Sequence, residues 1–136
     1  MKRTHQLGEL QLAIMRVLWS RGEASVAEVH DALKHKGGRA LTTIATMLTK
    51  MERKGVVEHR ADGRVFVYRP TVTEAAVQRS MVAELMGRLF GGDPTALVSH
   101  LLTGQEIERS DLERLKALIA EQASAEARKK DGRHGR

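Results

Sequence analysis

A mainly α-helical chain with one β-hairpin in its first half is what this sequence predicts, on three observations. Apolar residues recur at helical spacing in three segments before Gly55 and in three after Thr73. Two β-rich runs, 56–60 and 65–69, flank an Asp62-Gly63 turn, a strong hairpin signal. The positive charge is also concentrated. Residues 1–70 hold 13 Lys and Arg against 7 Asp and Glu, whereas 71–127 hold 5 against 9 and the tail 128–136 holds 5 against 1. The first half is therefore the part suited to a polyanion.

The first helix is expected from Glu9 to Ser20, with Leu10, Ile14, Val17 and Leu18 on one face and Trp19 beside them; Arg21-Gly22 ends it. Ser25-Val26-Ala27-Glu28 is a capping box, which opens a second helix reaching about Lys36 with Val26, Val29 and Leu33 as its stripe. After the break Lys36-Gly37-Gly38-Arg39, either Thr42 or Thr43 is expected to cap a third helix, and Gly55 to stop it.

That third helix is the most informative stretch. At about 100° per residue, Leu41, Met47, Leu48 and Met51 gather within about 60° of Ile44 and form a core stripe. Thr42, Thr46, Thr49 and Arg53 fall opposite, with Thr43 and Lys50 at the edge. A solvated helix ordinarily mixes Glu and Lys on its outer face. Here there are short hydroxyls near the start and basic charge toward the end, with Glu52 alone on the flank. Threonine lets a helix approach closely and can bond a base edge or touch a thymine methyl. We expect Thr42, Thr43 and Thr46 to face bases, and Arg39, Thr49, Lys50 and Arg53 to hold the DNA backbone.

The hairpin follows, closed by Pro70 and carrying His59, Arg60, Arg64 and Arg69. Arg60 and Arg64 join the expected backbone contacts. Three helices and then a hairpin is the order of a winged helix-turn-helix DNA-binding domain, in which the third helix enters the major groove. We place this domain at 1–70.

After Pro70 the pattern is wholly helical. Thr73 caps a helix to about Phe90, Gly91-Gly92-Asp93-Pro94 breaks it, a short helix follows, and a last one starts near Ser110-Asp111. Three such helices make too little core to stand alone, so residues 71–127 are expected to form a homodimer interface. Its expected contacts are Met81, Leu85, Leu89, Leu97, Leu101, Leu112, Leu115, Leu118 and Ile119. Residues 128–136 are expected to be a basic, disordered tail.

The composition excludes several classes. There are no cysteines, hence no disulfide or thiolate metal site. No apolar run suits a signal peptide or membrane span, so a cytoplasmic protein is expected. The four aromatics, Trp19, Phe66, Tyr68 and Phe90, are too few for a single-strand stacking platform. His30 and His35 lack a third ligand at metal spacing, His5, His59, His100 and His134 are scattered, and Gly91-Gly92 lacks the Lys-Ser/Thr of a P-loop. Glu106 and Glu108 read as a solvated acidic run. No catalysis, metal or cofactor is expected.

The chain resembles the penicillinase-repressor (BlaI/MecI type) family of bacterial winged-helix regulators. The resemblance is carried by Glu9-Leu10-Gln11-Leu12-Ala13-Ile14-Met15-Arg16-Val17-Leu18-Trp19, by Leu41-Thr42-Thr43-Ile44-Ala45-Thr46-Met47-Leu48, by Lys54-Gly55 and by Tyr68-Arg69-Pro70. Leu89-Phe90-Gly91-Gly92, Ala96-Leu97-Val98-Ser99-His100-Leu101-Leu102 and Asp111-Leu112-Glu113-Arg114-Leu115 continue it, so that it spans about 7–121. It implies a homodimeric repressor on an operator of two inverted half-sites. It also implies release when a membrane zinc-metalloprotease sensor of cell-wall antibiotics triggers cleavage in the dimerisation helices. The family's best-known cut is at an Asn-Phe pair, and the matching positions here are His100-Leu101, a pair expected to be a poor substrate for that processing. A copper-responsive branch uses a C-terminal cysteine site, which this chain lacks. Two other readings stay open on the residues themselves: a small-molecule-responsive winged-helix regulator of another family, and a winged-helix protein-interaction module. The basic first half argues against the second.

Overall fold

The computed structural model describes residues 6–104 and 107–134, the last three by backbone alone. His5, Glu106, the side chain of His134 and the two final residues of the tail lie outside the described residues. The elements are α1 (Glu9–Arg21), β1 (Ala24–Ser25), α2 (Val26–Leu33), α3 (Leu41–Lys54), β2 (Val57–Asp62), β3 (Val65–Pro70), α4 (Glu74–Phe90), α5 (Pro94–Thr103) and α6 (Arg109–His134). They form two compact units, Met1–Arg88 and Leu89–Arg136.

The first unit packs α1, α2 and α3 on a three-stranded antiparallel sheet of order β1-β3-β2 and also takes in α4 as far as Arg88. The apolar stripes meet as their periodicity requires. Ile14, Met15 and Leu18 of α1, Val29 of α2, and Ile44, Leu48 and Met51 of α3 have no exposed surface. Burying each such side chain contributes about 1.5–3 kcal/mol. Val57 and Tyr68 bring the inner face of the sheet to the same core, and Val77 of α4 completes it, with Val72 and Met81 packed against it. Trp19 ties α1 to the entry of α4 by donating its indole N–H to the Val72 carbonyl at 2.9 Å. The first unit thus takes in all but Leu89 and Phe90 of α4, a helix that the sequence assigns to dimerisation.

Several local expectations hold. Ser25 Oγ accepts from Glu28 N at 3.2 Å while Glu28 Oε1 accepts from Ser25 N at 2.8 Å, the reciprocal capping box. Thr73 Oγ1 caps α4 through Ala76 N. Gly55 ends α3 in the left-handed region at φ 82°, where a side chain would be strained. Four local details differ. α2 ends at Leu33, three residues short, and a turn carries the chain onward. The N-cap of α3 is Ala40, without a side-chain bond, rather than Thr42 or Thr43. The helix starts two or three residues earlier than either cap would place it, so both threonines lie inside it, with Thr42 exposed. Leu41, by angle part of the core stripe, is half exposed. As the first helical residue it leans toward the N-terminus, where no preceding turn covers it. Asp62 pairs with Val65, so the hairpin tip is Gly63-Arg64 rather than Asp62-Gly63, with Gly63 at φ 65°. β1 was not expected; two residues are too few to show a period.

In the second unit, Asp93 accepts from Thr95 N and caps α5, with Pro94 at the first helical position. α6 runs through His134, past the point where the sequence suggests an irregular tail. Ala125, Glu126, Ala127, Arg128, Lys129 and Lys130 are good helix formers, which accounts for the extension. No side chain described in this unit is fully buried, and Leu89, Val98, Leu102, Leu118 and Ile119 are exposed. Among the described residues no helix is long and apolar enough to cross a membrane.

Candidate nucleic-acid interface

The geometry of α3 follows from its buried stripe. With Ile44, Leu48 and Met51 fully inside, Thr42, Thr46, Thr49, Lys50 and Arg53 are exposed together on the outer face, and Thr43 is half buried at its edge. Arg39, in the loop leading into the helix, is also exposed. Among the described residues no carboxylate pairs with Arg39, Lys50, Arg53 or the wing-tip Arg64. Four cations without an ion-pair partner of their own suit phosphate oxygens. Thr49 is less available than Thr42 or Thr46, because its hydroxyl donates to the Ala45 carbonyl at 3.1 Å.

The other wing cations are engaged. Arg60 grips Glu23 with Nη2 to Oε1 at 2.8 Å and Nε to Oε2 at 3.4 Å. This pairing lowers the Glu23 pKa and raises that of Arg60, in each case chiefly through the hydrogen bond. Arg69 pairs with the cross-strand Glu58 at 2.8 Å, the two being directly opposite in the ladder. His59 Nδ1 lies 2.6 Å from Glu52 Oε1 on α3. Of the sequence-expected backbone contacts, then, Arg60 alone is held by a carboxylate of its own chain.

Residues outside the expected set also shape the face. Lys54 points back rather than outward, donating to the Gln6 carbonyl at 2.9 Å and to Gln11 Oε1 at 3.0 Å. Gln11 Nε2 in turn reaches Met47 Sδ at 3.3 Å. This polar seam sets α3 against the start of α1. Glu23, Glu52 and Gln11 were not singled out by sequence. The only hint was chemical: Glu52 is the one acid on an otherwise basic helix.

The residues expected to dimerise lie as follows. Met81 is half buried against the first unit's core, and Leu97 and Leu115 are half buried. Leu85, Leu89, Leu101, Leu112, Leu118 and Ile119 are exposed, from 36% at Leu101 and Leu112 to 67% at Leu89. His100, of the expected cleavage pair, is exposed, with its ring 5.8 Å from that of Phe90. Among the described residues no three His, Asp or Glu converge as a metal site would require.

The profile of the penicillinase repressor family matches residues 7–121. The penicillinase repressor of Bacillus licheniformis is 27% identical over 121 residues, covering 89% of this chain and 94% of that protein. The methicillin resistance regulatory protein MecI of Staphylococcus aureus (strain N315) is 18% identical over 117 residues, covering 86% and 95%. Among solved structures, the complex structure of hsRosR-S4 is similar in fold, with a TM-score of 0.54 at 17% identity, covering 90% of this chain and 96% of that one. The fold class is mainly α, with a winged helix-turn-helix leading. On a family profile that takes in most of its sequence, the chain belongs to the penicillinase repressor family of DNA-binding transcriptional repressors, and it is not an enzyme.

Proposed function

We propose that this protein is a cytoplasmic repressor that binds a palindromic double-stranded operator as a homodimer. Residues 1–70 bind DNA and 71–127 dimerise. Thr42, Thr43 and Thr46 read base edges; Arg39, Thr49, Lys50, Arg53 and Arg64 hold phosphates, and Arg60 joins them once it leaves Glu23. The observation that carries this reading is the outer face of α3, hydroxyls followed by unpaired cations above a fully buried stripe. The homodimer is supported by the second unit, where Leu89, Leu101, Leu102, Leu112 and Leu118 are exposed in a single chain and need a partner surface. Release by proteolysis at or near His100-Leu101, triggered through a membrane metalloprotease sensor, rests on the family alone.

Duplex binding followed by fluorescence anisotropy between 50 and 200 mM salt tests the first part. Affinity should fall by orders of magnitude over roughly that range, and Arg53→Ala should flatten the slope by about one unit. Affinity indifferent to salt would favour a protein-interaction module instead.

A further inference from the structure

The outer part of the wing has little to hold it. β1 pairs with β3 only at Tyr68 and Val67, so beyond Arg60 and Val67 the wing is a bare two-stranded ribbon. Such ribbons are marginal and twist readily without further support. Here the support comes from α3. His59 Nδ1 meets Glu52 Oε1 at 2.6 Å, with both side chains only about a third exposed. The His59 ring stacks on Phe66, centroids 4.3 Å apart at 29°, and touches Tyr68 at 5.4 Å. Tyr68 itself is buried in the core that α3 also lines. Contacts therefore run without a gap from α3 through His59 to Phe66, two residues from Arg64 at the tip.

Glu52 otherwise makes little sense. A carboxylate on a helix that faces phosphates repels them, and it is the one acid in α3. Its bond to His59 gives it a purpose.

We propose that Glu52 and His59 are positioning residues that fix the wing's angle to the recognition helix, so that Arg64 meets the DNA backbone while Thr42 and Thr46 meet bases. This rests on the operator reading above. Neither residue needs to touch DNA. Their effect is carried by Arg64, and that dependence is measurable.

The experiment is a set of double-mutant cycles on the full chain with a bound duplex. Arg64→Ala should weaken the wild type about fivefold, the scale of one exposed ionic contact. His59→Phe keeps the ring on Phe66 and loses the bond; Glu52→Ala removes the acceptor. In either background Arg64→Ala should cost less than about twofold, because the tip is no longer held in place. Glu52→Gln has the same charge as Glu52→Ala but retains an acceptor oxygen, and should restore the full Arg64→Ala effect. Thermal unfolding of each variant verifies the fold, and the two disruptive variants serve as independent checks on each other. An Arg64→Ala loss equal in every background, or absent in the wild type, would overturn the proposal. A wild type with no salt-dependent affinity for any duplex would bring down the operator reading itself, a distinct result.

Discussion

Arg60 holds Glu23 through two of its guanidinium nitrogens, at 2.8 and 3.4 Å, so a wing cation suited to a phosphate already has a carboxylate for company. The two residues are 37 positions apart, on the stretch leading into β1 and on β2. An exposed ion pair of this kind is weak and easily exchanged. On the proposed reading DNA competes with Glu23 for Arg60, and that competition falls on every duplex alike.

Glu23→Gln should therefore strengthen binding to unrelated duplexes and steepen the salt dependence by about one unit, the signature of one more phosphate contact. Any acid removed from a DNA-binding face raises affinity somewhat, so the comparison that matters is made in an Arg60→Gln background. There the effect should largely vanish. If Glu23→Gln acts equally with and without Arg60, the pair does not compete with DNA.

Tyr68 gives a prediction in pH. Burial, and after it the charge of Glu52, raises its pKa above the ordinary tyrosine value of about 10, with Thr49 opposing. The fold favours the neutral phenol. Its contribution is fully present below the unfolded value and is lost as pH rises through the raised one. Denaturant midpoints measured from pH 8 to about 11 should fall more steeply for the wild type than for Tyr68→Phe. Parallel curves would show that the phenol is not what titrates.

The fold was legible where period and local chemistry agree. Ile44, Leu48 and Met51 recur at helical spacing and are buried together, and the Ser25-Glu28 box and Gly55 mark helix ends through bonds made within a few residues. What escaped depends on distance along the chain. β1 exists only because β3 lies beside it, and no two-residue pattern could announce that. The partners of Arg60, His59 and Lys54 are set by the packing of α1, α3 and the sheet, so a sequence shows the cations but not which of them are already engaged. The outer face of α3 was visible as chemistry. The way the wing is fastened to it was not.

The second unit carries the dimer prediction. Leu118 is 59% exposed in a single chain and lies outside the buried core of the first unit. Leu118→Asp should leave thermal unfolding of the first unit unchanged and raise the dimer dissociation constant at least about tenfold, since a buried leucine contributes 1.5–3 kcal/mol. Sedimentation velocity at micromolar concentrations measures this. A wild type that sediments as a monomer would remove the dimer.

The central claim is that the hydroxyl face of α3 reads bases, and selection of bound sequences from a random duplex pool tests it most directly. The wild type should enrich an inverted repeat whose half-sites are spaced by about one helical turn or a multiple of it. Thr46→Val keeps the shape and removes the hydroxyl. It should relax preference at one symmetric position by roughly 1–3 kcal/mol while leaving the salt slope unchanged. No enriched sequence, or the same motif from Thr46→Val while Arg53→Ala alters it, would contradict this assignment of the face.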